Sequence, residues 1–404
     1  KEKRTKKTKR VLTNQITHGL KSIRNINNII FAYEPVWSIG TGIIPKQQNL
    51  KNNIFFTPGP SQLYFTVYDH VKKAFSDQIP SLSHRSVQFQ KIYQNCVLNI
   101  KEIFDLPVGY HVVFTSSANE IWERIIQNLI YKESTHLING AFSQTFYDFT
   151  KMYNIKSKKY LYNKEPYDIE IVDNNCQLLA ISLNETSTGI MCNSDKIKEI
   201  RNKFKNSLIA LDCVSGSPCI PFNPNDVDTF YFSVQKCFGL PSGLGVWIYN
   251  DKCIEANQKK IELNEITGSY HSLEKLHKMN LKFQTPETPN ILGIYLLMKI
   301  TEDMIRNGID NLRRDTNYKS TLIYDTIRKN EKLNCSITNK EIQSKTVIVA
   351  DTINNSKIFI DKLKSKNLII GKGYGNNDSQ IRIANFPTHS KESIELLCDE
   401  INKI

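Results

Sequence analysis

The chain has 404 residues, enough to bury the cores of two or three domains, and its hydrophobic content of 40% is typical of a globular protein. No apolar run approaches the length of a membrane span, and no apolar segment follows the basic start as it does in a secretory signal, so neither a membrane nor an export route is expected. The formal net charge is +13, but the first ten residues contribute +6 of it and no nucleic-acid-binding motif accompanies them, so nucleic acid is not expected as a partner.

The first predicted elements, within residues 1–52, form a segment separate from the rest of the chain. The run "VLTNQITHGLKSI" has a helical pattern and leads into the strand-like "IIFAYEPVWSIGTG". This pair resembles the helix, sixth strand and lid loop of triosephosphate isomerase, with Glu34 at the position of that family's catalytic base. A complete barrel of that kind takes about 250 residues. We therefore expect residues 1–52 to be a fused remnant and linker without isomerase activity.

Beyond residue 53, helical patterns alternate with short apolar runs, which predicts an α/β fold. Apolar runs between helices are typical of a mainly parallel sheet that helices cover on both faces. Two of the helices are predicted at 89–104 and 118–131. The predicted strands of this sheet span 110–115, 134–140, 176–183, 207–212, 228–235 and 244–250.

The last third of the chain changes to long helices with a few strands. The helical patterns cover 289–306, 314–330 and 390–404, and the apolar runs that predict strands cover 345–352 and 380–386. This order is typical of a smaller α+β domain. We expect a large domain over 53–290 and a small C-terminal domain over 291–404.

A single lysine, Lys236, closes the apolar strand 228–235 and leads into a glycine-broken loop. A lysine at the mouth of buried strands is either a snorkelling surface amine or a nucleophile. In pyridoxal phosphate enzymes such an amine forms a Schiff base with the aldehyde of the cofactor. The site then also needs a carboxylate for the pyridine nitrogen, donors for the 5′-phosphate and an aromatic face for the ring.

Each of these requirements has a candidate in the sequence. Asp212 ends an apolar strand, and in a parallel sheet it would emerge at the same edge as Lys236, although such an aspartate can also simply cap a turn. Ser117 opens a helix in "TSSANE", where free backbone N–H groups can hold an anion or where Ser117 and Glu120 can form a capping box. Phe142 follows a strand and is either a stacking ring or a core residue.

The order of these motifs resembles a known enzyme family. "SSANE", "NGAF", "NETSTG", "ALDCVSG" and "SVQK" occur in the order found in the class V aminotransferases of fold type I, and "TPGPSQLY", "SLSHRS", "QTPETPN" and "QIRIANFP" add to the match. The resemblance covers residues 53–404. It implies a large domain with a mainly parallel, seven-stranded sheet between helices, a smaller C-terminal α+β domain, pyridoxal 5′-phosphate as cofactor, amino-acid and keto-acid substrates, and a homodimer.

The same resemblance assigns roles to individual residues. It implies that Lys236 carries the cofactor and later shuttles the α-proton, that Asp212 pairs with the pyridinium, and that Arg382 grips the substrate α-carboxylate through two parallel contacts. The further cofactor contacts it implies are Thr186 and Gln235 near the phenolic oxygen, Phe142 stacked on the ring, Ser117, Ala118 and Ser215 at the phosphate, and Gln284 and Thr285 reaching in from a partner subunit.

The substrate is the point on which two branches of the family differ. His84 and Arg85 match the pair that faces the substrate phosphate in the phosphoserine aminotransferase branch, which acts in serine biosynthesis. An arginine of that branch is absent from "SSANE", and "GKGYG" replaces its second His-Arg pair, leaving Lys372 as a substitute charge. The alanine–glyoxylate and serine–pyruvate aminotransferases, which share the Gln-Lys pair, therefore remain the alternative.

Two further alternatives are disfavoured by the sequence. Cysteine desulfurases have a histidine before the lysine and a nucleophilic cysteine on a mobile glycine-rich loop, whereas Gln235 precedes Lys236 and Cys335 lacks such a loop. A catalytically idle basic binding protein would require Lys236 to have no chemical role. The nine cysteines form neither a CxxC pair nor a zinc-ligand cluster, so we expect a cytoplasmic protein without a structural metal.

Overall fold

The computed structural model describes residues 53–375 and 377–404. The segment 1–52 that resembles triosephosphate isomerase lies outside these residues, and so do the expectations about its fold and activity.

Seven strands form the main sheet of the molecule. They are β2 (Tyr110–Thr115), β3 (Glu133–Ile138), β4 (Lys156–Leu161), β5 (Leu178–Ser182), β8 (Leu208–Asp212), β9 (Thr229–Ser233) and β10 (Gly245–Asn250), and β6 (Asn184–Glu185) and β7 (Ile190–Met191) form a small separate ribbon. The order across the sheet is β2-β10-β9-β8-β5-β3-β4. Strand β10 runs antiparallel to both of its neighbours, and the remaining pairs are parallel. The expected mainly parallel, seven-stranded sheet is confirmed.

Eleven α-helices accompany the strands in the described part of the chain. They are α1 (Val67–Ser76), α2 (Val87–Ile103), α3 (Ala118–Leu129), α4 (Ala141–Met152), α5 (Ser194–Lys203), α6 (Asp251–Glu262), α7 (Leu273–Asn280), α8 (Ile291–Asn307), α9 (Ile309–Lys329), α10 (Lys357–Ser365) and α11 (Lys391–Asn402). Two apolar cores flank the sheet: α2 and α8 contribute to one, and α3 to the other. The sheet is therefore covered on both faces, as parallel sheets require.

Helix α3 shows how the sequence dictates an element that carries the site. The Ser117 hydroxyl caps the helix by accepting from the Glu120 amide at 3.3 Å. Ile121, Trp122 and Ile125 then recur at helical spacing and are fully or almost fully buried. The cap fixes where the helix begins, and the apolar stripe holds the helix against the sheet. Together they place the N-terminus of the helix at the carboxyl edge of the sheet.

The C-terminal part of the chain builds a second, five-stranded sheet. Its strands are β11 (Leu333–Cys335), β12 (Val347–Thr352), β13 (Leu368–Lys372), β14 (Gln380–Ala384) and β1 (Ile54–Phe56), in the order β1-β13-β14-β12-β11. Strand β1 pairs in parallel with β13, with Ile54 opposite Leu368. The small domain expected over 291–404 therefore takes one strand from the other end of the described chain.

Strand β4 is an element that the pattern of apolar residues did not predict. Its sequence "KSKKYL" has no apolar run, and Leu161 is 66% exposed. It pairs with β3 at the outer edge of the main sheet. Edge strands tolerate and even favour lysines, since a charged edge discourages pairing with other chains.

Candidate active site

The amine of Lys236 lies buried just beyond the end of β9. It donates to the carbonyl oxygen of Pro58 at 2.8 Å and to Thr186 Oγ1 at 3.3 Å, and the residue is 7% exposed. Burial lowers the pKa of this amine to about 8, against a smaller opposing effect of Asp212. A larger fraction of this amine than of an ordinary lysine is therefore unprotonated near neutral pH, which is the state that a nucleophile requires.

Gly59 allows the segment that follows β1 to approach this lysine. Its φ of +134° is a backbone conformation that favours glycine, and a Cβ at this position would lie 2.8 Å from Lys236 Cε. The segment "TPGP" thus presents the Pro58 carbonyl directly to the amine. The motif was noted in the sequence, but its contact with Lys236 was not predicted.

Asp212 stands at the end of β8, the parallel neighbour of β9. Its Oδ1 accepts from the Val214 amide at 2.9 Å. Burial raises the pKa of this carboxyl to about 7, which is the behaviour of a buried carboxylate that lacks a full counter-charge. Lys236 and Asp212 line one cavity, as expected from two parallel strands that end at the same edge of a sheet.

The cavity brings together part of the predicted set of site residues. Those that line it are Ala118, Phe142, Thr186, Asp212, Gln235 and Lys236. Its lining also includes residues that were not predicted, namely Asn119, Trp122, Ser182, Asn184, Glu185, Val214 and Ser233. Their position after strands β5 and β9 or in the first turns of α3 is the signal that could have found most of them.

The turn at the start of α3 closes one end of this cavity. The Ala118 amide donates to Ser233 Oγ at 2.8 Å, which joins the helix to the end of β9. A Cβ on Gly245 of β10 would lie only 2.7 Å from the Ser117 carbonyl carbon, so the turn packs tightly against the sheet. Helix N-termini held in this way are suited to binding anions, because their amide groups and dipole point outward.

Phe142 forms one wall of the cavity from the first turn of α4. Its ring centroid lies 5.5 Å from Lys236 Nζ, and the Tyr374 ring meets it edge-on at 5.2 Å between centroids. The buried carboxylate of Glu185 fixes the turn by accepting from the Phe142 amide at 3.3 Å and the Ser143 amide at 3.0 Å. An acidic group is favourable at a helix N-terminus, so Glu185 orients Phe142 through the backbone.

Arg382 extends from β14 of the second sheet to Thr186, a residue of the cavity lining to which Arg382 itself does not belong. Its Nη1 donates to the Thr186 carbonyl at 3.3 Å and its Nε to the Lys372 carbonyl at 2.8 Å. The Tyr374 ring centroid lies 5.5 Å from the guanidinium carbon. Burial lowers the pKa of Arg382, but an arginine stays charged at any physiological pH. The side chain of Lys372, considered as a substitute charge, is exposed, and its carbonyl makes the contact.

Ser215 lies apart from the other predicted phosphate ligands. Its hydroxyl donates to the Asn184 carbonyl at 3.0 Å and accepts from Asn184 Nδ2 at 2.8 Å and Thr186 Oγ1 at 2.9 Å. It is fully buried and does not belong to the cavity lining among the described residues. Ser215 therefore holds the Thr186 side chain in place through a hydrogen bond, whereas Ser117 and Ala118 lie at the α3 turn.

The four remaining predicted residues meet one another, outside the cavity lining of the described chain. Arg85 Nη1 donates to Gln284 Oε1 at 2.7 Å and to the Thr285 carbonyl at 2.9 Å. A hydrogen bond of 3.4 Å joins His84 Nδ1 to Thr288 Oγ1. The "SHRS" motif is thus fixed to the segment 284–288 of its own chain, a pairing across about 200 residues that no local pattern predicts.

Two other kinds of site are not found among the described residues. No group of three or more His, Cys, Asp or Glu side chains is arranged to hold a metal ion within them. Over the same residues, no helix combines the length and the apolar character that crossing a bilayer requires.

Comparison with known proteins gives two family matches. The model of the class-V aminotransferase family matches residues 54–381, and that of triosephosphate isomerase matches residues 1–56. The second match confirms the resemblance of the amino-terminal segment.

Individual relatives match over most of the chain. A solved phosphoserine aminotransferase from Cytophaga hutchinsonii superposes with a TM-score of 0.86 at 38% identity, covering 88% of this chain and 99% of its own. The phosphoserine aminotransferase of Corynebacterium glutamicum is 26% identical over 344 residues, which are 81% of this chain and 88% of its own length. The serine–glyoxylate aminotransferase of Methylorubrum extorquens is 26% identical over 275 residues, 64% of this chain and 67% of its own length.

Proposed function

The chain belongs to the class-V aminotransferase family, and on that premise we propose that it is a phosphoserine aminotransferase, exchanging an amino group between glutamate and 3-phosphohydroxypyruvate. The observation that carries the transamination is the single cavity that holds both the Lys236 amine and the Asp212 carboxylate. The substrate is supported by the relatives of 38% and 26% identity, which bear that name. The nine cysteines are free thiols, which fits the cytoplasm that we propose as its location.

The cavity suits pyridoxal 5′-phosphate, the cofactor that we propose. Lys236 supplies an amine for the aldehyde, Asp212 a buried carboxylate for the ring nitrogen and Phe142 an aromatic wall. The α3 turn with Ser117 and Ala118 is a helix N-terminus, whose dipole favours the phosphate, and the Ser117 hydroxyl can donate to it. When bound, this cofactor provides an electron sink that stabilises negative charge at the substrate α-carbon.

The side chains of the chain itself perform the remaining tasks. Lys236, whose pKa is lowered to about 8, can take a proton from the substrate α-carbon and return it at a neighbouring atom. The carboxylate of Asp212 holds positive charge at the ring nitrogen, which relieves the cost of its own burial. Thr186 and Pro58 accept hydrogen bonds from the Lys236 amine and hold it at one place in the cavity.

The two ends of the substrate are assigned to two separate groups of residues. Arg382 is charged, partly buried and adjacent to Thr186, so we assign to it the α-carboxylate, which an arginine can bind through two parallel hydrogen bonds. We assign the phosphate of the substrate to His84 and Arg85. A dianion requires charge-assisted donors, and Lys372 offers a compact charge without this fork.

A homodimer would explain how His84 and Arg85 reach a substrate. Arg85 is bound to Gln284 and Thr285, so if these two enter the cavity of a second copy, Arg85 enters with them. Helix α1 and the segment just before it expose apolar rings that a second copy could cover: Phe65 and Tyr68 are each 64% exposed and Phe75 is 61% exposed. We propose that each cavity is completed by the partner's copy of this segment.

Steady-state assays with glutamate as amino donor test the substrate. We expect phosphohydroxypyruvate to be the preferred acceptor over glyoxylate and pyruvate. Arg85→Ala should raise its KM by about 100-fold, through loss of a charge-assisted contact, while KM for glyoxylate changes little. A preference of the unmodified protein for glyoxylate would assign it instead to the alanine–glyoxylate branch.

A further inference from the structure

The imidazole of His271 lies between the α3 turn of the cavity and the segment 284–288, to which Arg85 is hydrogen-bonded. We propose that His271 is a positioning residue, which holds the segment 284–288, and with it Arg85, in register with the α3 turn. The inference rests on the proposed function, since it assigns to that turn and to that segment their roles in binding the cofactor and the substrate phosphate.

One side of the connection leads into the cavity wall. The Nδ1 of His271 hydrogen-bonds to the carboxylate of Glu120 in the first turn of α3. The other oxygen of Glu120 accepts from the amide of Ser116 at 2.7 Å and from its hydroxyl at 2.6 Å. Ser117, the next residue, caps the helix. His271 is therefore joined through one side chain to the turn that forms the anion-binding end of the cavity.

The other side of the connection leads to Arg85. The Nε2 of His271 lies 2.8 Å from Glu287 Oε2, an ion-pair contact that lacks the geometry of a hydrogen bond. The carbonyl of Glu287 accepts from Thr285 Oγ1 at 2.7 Å, and the carbonyl of Thr285 accepts from Arg85 Nη1 at 2.9 Å. A continuous series of contacts thus runs from the α3 turn to the guanidinium assigned to the substrate phosphate.

The charge of His271 suits this bridging role. Burial alone would lower the pKa of this imidazole, but Glu120 and Glu287 outweigh burial and raise it to about 9. Burial also disfavours the charged form of Glu120 and by itself would raise its pKa. The hydrogen bonds from His271 and Ser116 outweigh burial and lower the pKa to about 2. A protonated ring carries a positive charge that attracts both carboxylates, whereas a neutral ring does not. The ring of Tyr270 stacks on it, with 4.0 Å between centroids.

Replacing His271 by glutamine tests the role, with His277→Gln as the matched control. His277 lies on α7, contacts His111 and Tyr249, and has no part in the series of contacts. Hydrogen exchange of the amides in 284–288 should accelerate at least about tenfold in His271→Gln and remain unchanged in the control. The KM for phosphohydroxypyruvate should rise by about tenfold, with kcat within about threefold and KM for glutamate unchanged.

Additional variants keep the test decisive. Glu287→Gln, which leaves His271 with its α3 partner, should accelerate the same amides and serves if His271→Gln does not fold. The double variant should exceed His271→Gln by little, since both substitutions break one connection. Unchanged exchange over 284–288 in the variants would overturn the proposal. Faster exchange with equal effects on both substrates would reduce His271 to a structural role and overturn it as well.

The hydrogen exchange also separates this proposal from the proposed function. If the unmodified protein does not use phosphohydroxypyruvate, the substrate assignment fails. Exchange over 284–288 and the rate at which pyridoxal phosphate leaves the protein on dialysis then decide the role of His271. Faster exchange and faster cofactor loss in His271→Gln would retain its positioning role at the α3 turn, and no change in either would remove it.

Discussion

The amine of Lys236 lies 2.8 Å from the carbonyl oxygen of Pro58, a residue 178 positions earlier in the chain. Pro58 follows β1, which belongs to the sheet of the small domain, whereas Lys236 follows β9 of the main sheet. The hydrogen bond therefore joins the two sheets at the reactive atom. Because the Pro58 carbonyl accepts a hydrogen bond from the amine, it also restricts where the amine can point in the cavity.

Reduction with borohydride in the presence of pyridoxal phosphate should fix the cofactor on Lys236. The buried, partly unprotonated amine in the cavity is the expected nucleophile. Peptide mapping by mass spectrometry should find the label on the peptide with Lys236. Lys319 is the internal control, because burial lowers its pKa to about 8 as well, yet its amine donates to the carbonyls of Phe386 and His389. Labelling of Lys319 or a surface lysine in place of Lys236 would contradict the assignment.

Asp212→Asn should retain the fold and bind the cofactor but lose turnover by about 100-fold or more, because an amide provides no counter-charge for the ring nitrogen. Single-turnover and steady-state rates with glutamate measure this loss. An unchanged rate would show that another group performs this task.

The same variant should be more stable than the parent when both lack the cofactor. Burial raises the pKa of Asp212 to about 7 in the folded protein, above its unfolded value of about 3.9. The folded protein therefore loses stability as the pH rises from about 3.9 through about 7. Asparagine does not titrate, so the variant does not lose stability in this way. Thermal unfolding of the cofactor-free proteins at about pH 8 should show a higher Tm for Asp212→Asn, and a lower Tm would contradict the cause given for the pKa shift.

Two impaired variants should restore activity to each other if Arg85 acts in the cavity of the partner, when activity is measured at phosphohydroxypyruvate concentrations well below the KM of Arg85→Ala. In a mixed dimer of Lys236→Ala and Arg85→Ala subunits, one cavity combines an intact Lys236 with an intact Arg85, and the other has neither. Random reassociation should then recover up to about a quarter of the parental activity, because half of the dimers are mixed and each has one complete cavity. Mixing Lys236→Ala with Asp212→Asn is the control, since both residues line one cavity of the same chain. A mixture of Lys236→Ala and Arg85→Ala that recovers no more activity than the control would contradict the arrangement.

Stability should depend on pH through His271. Its pKa in the folded protein is raised to about 9, above the ordinary value of about 6.5, so its contribution is complete below 6.5 and is lost as the pH rises through 9. The groups that face it are Glu120, Glu287 and the ring of Tyr270. The Tm of the parent protein should therefore fall more steeply between about pH 7 and about pH 10 than that of His271→Gln. Parallel Tm profiles would show that His271 is not charged in the folded protein.

Several features of this protein were predictable from the sequence because they depend on local patterns. Apolar runs identified the strands that end at Asp212 and just before Lys236. The general behaviour of parallel strands placed their carboxyl ends at one edge, which the shared cavity confirms. The resemblance of the ordered motifs to the class V aminotransferases is confirmed by the family match over residues 54–381. The roles of the individual site residues remain predictions.

Other features depend on contacts between distant segments and became apparent only in the tertiary structure. Strand β4 has a polar sequence and acquires its place from pairing with β3. Ser215 turns towards Asn184, away from the cavity lining, and Tyr374 is brought against Phe142 by the second sheet. A local pattern records which side chains are apolar or charged and at what spacing. It does not record which of them meet after the chain has folded, because close packing of the whole domain selects those partners. For that reason the sequence identified Lys236 and Asp212 at strand ends, while the contacts of Lys236 with Pro58 and of His271 with Glu120 and Glu287 were decided by the fold.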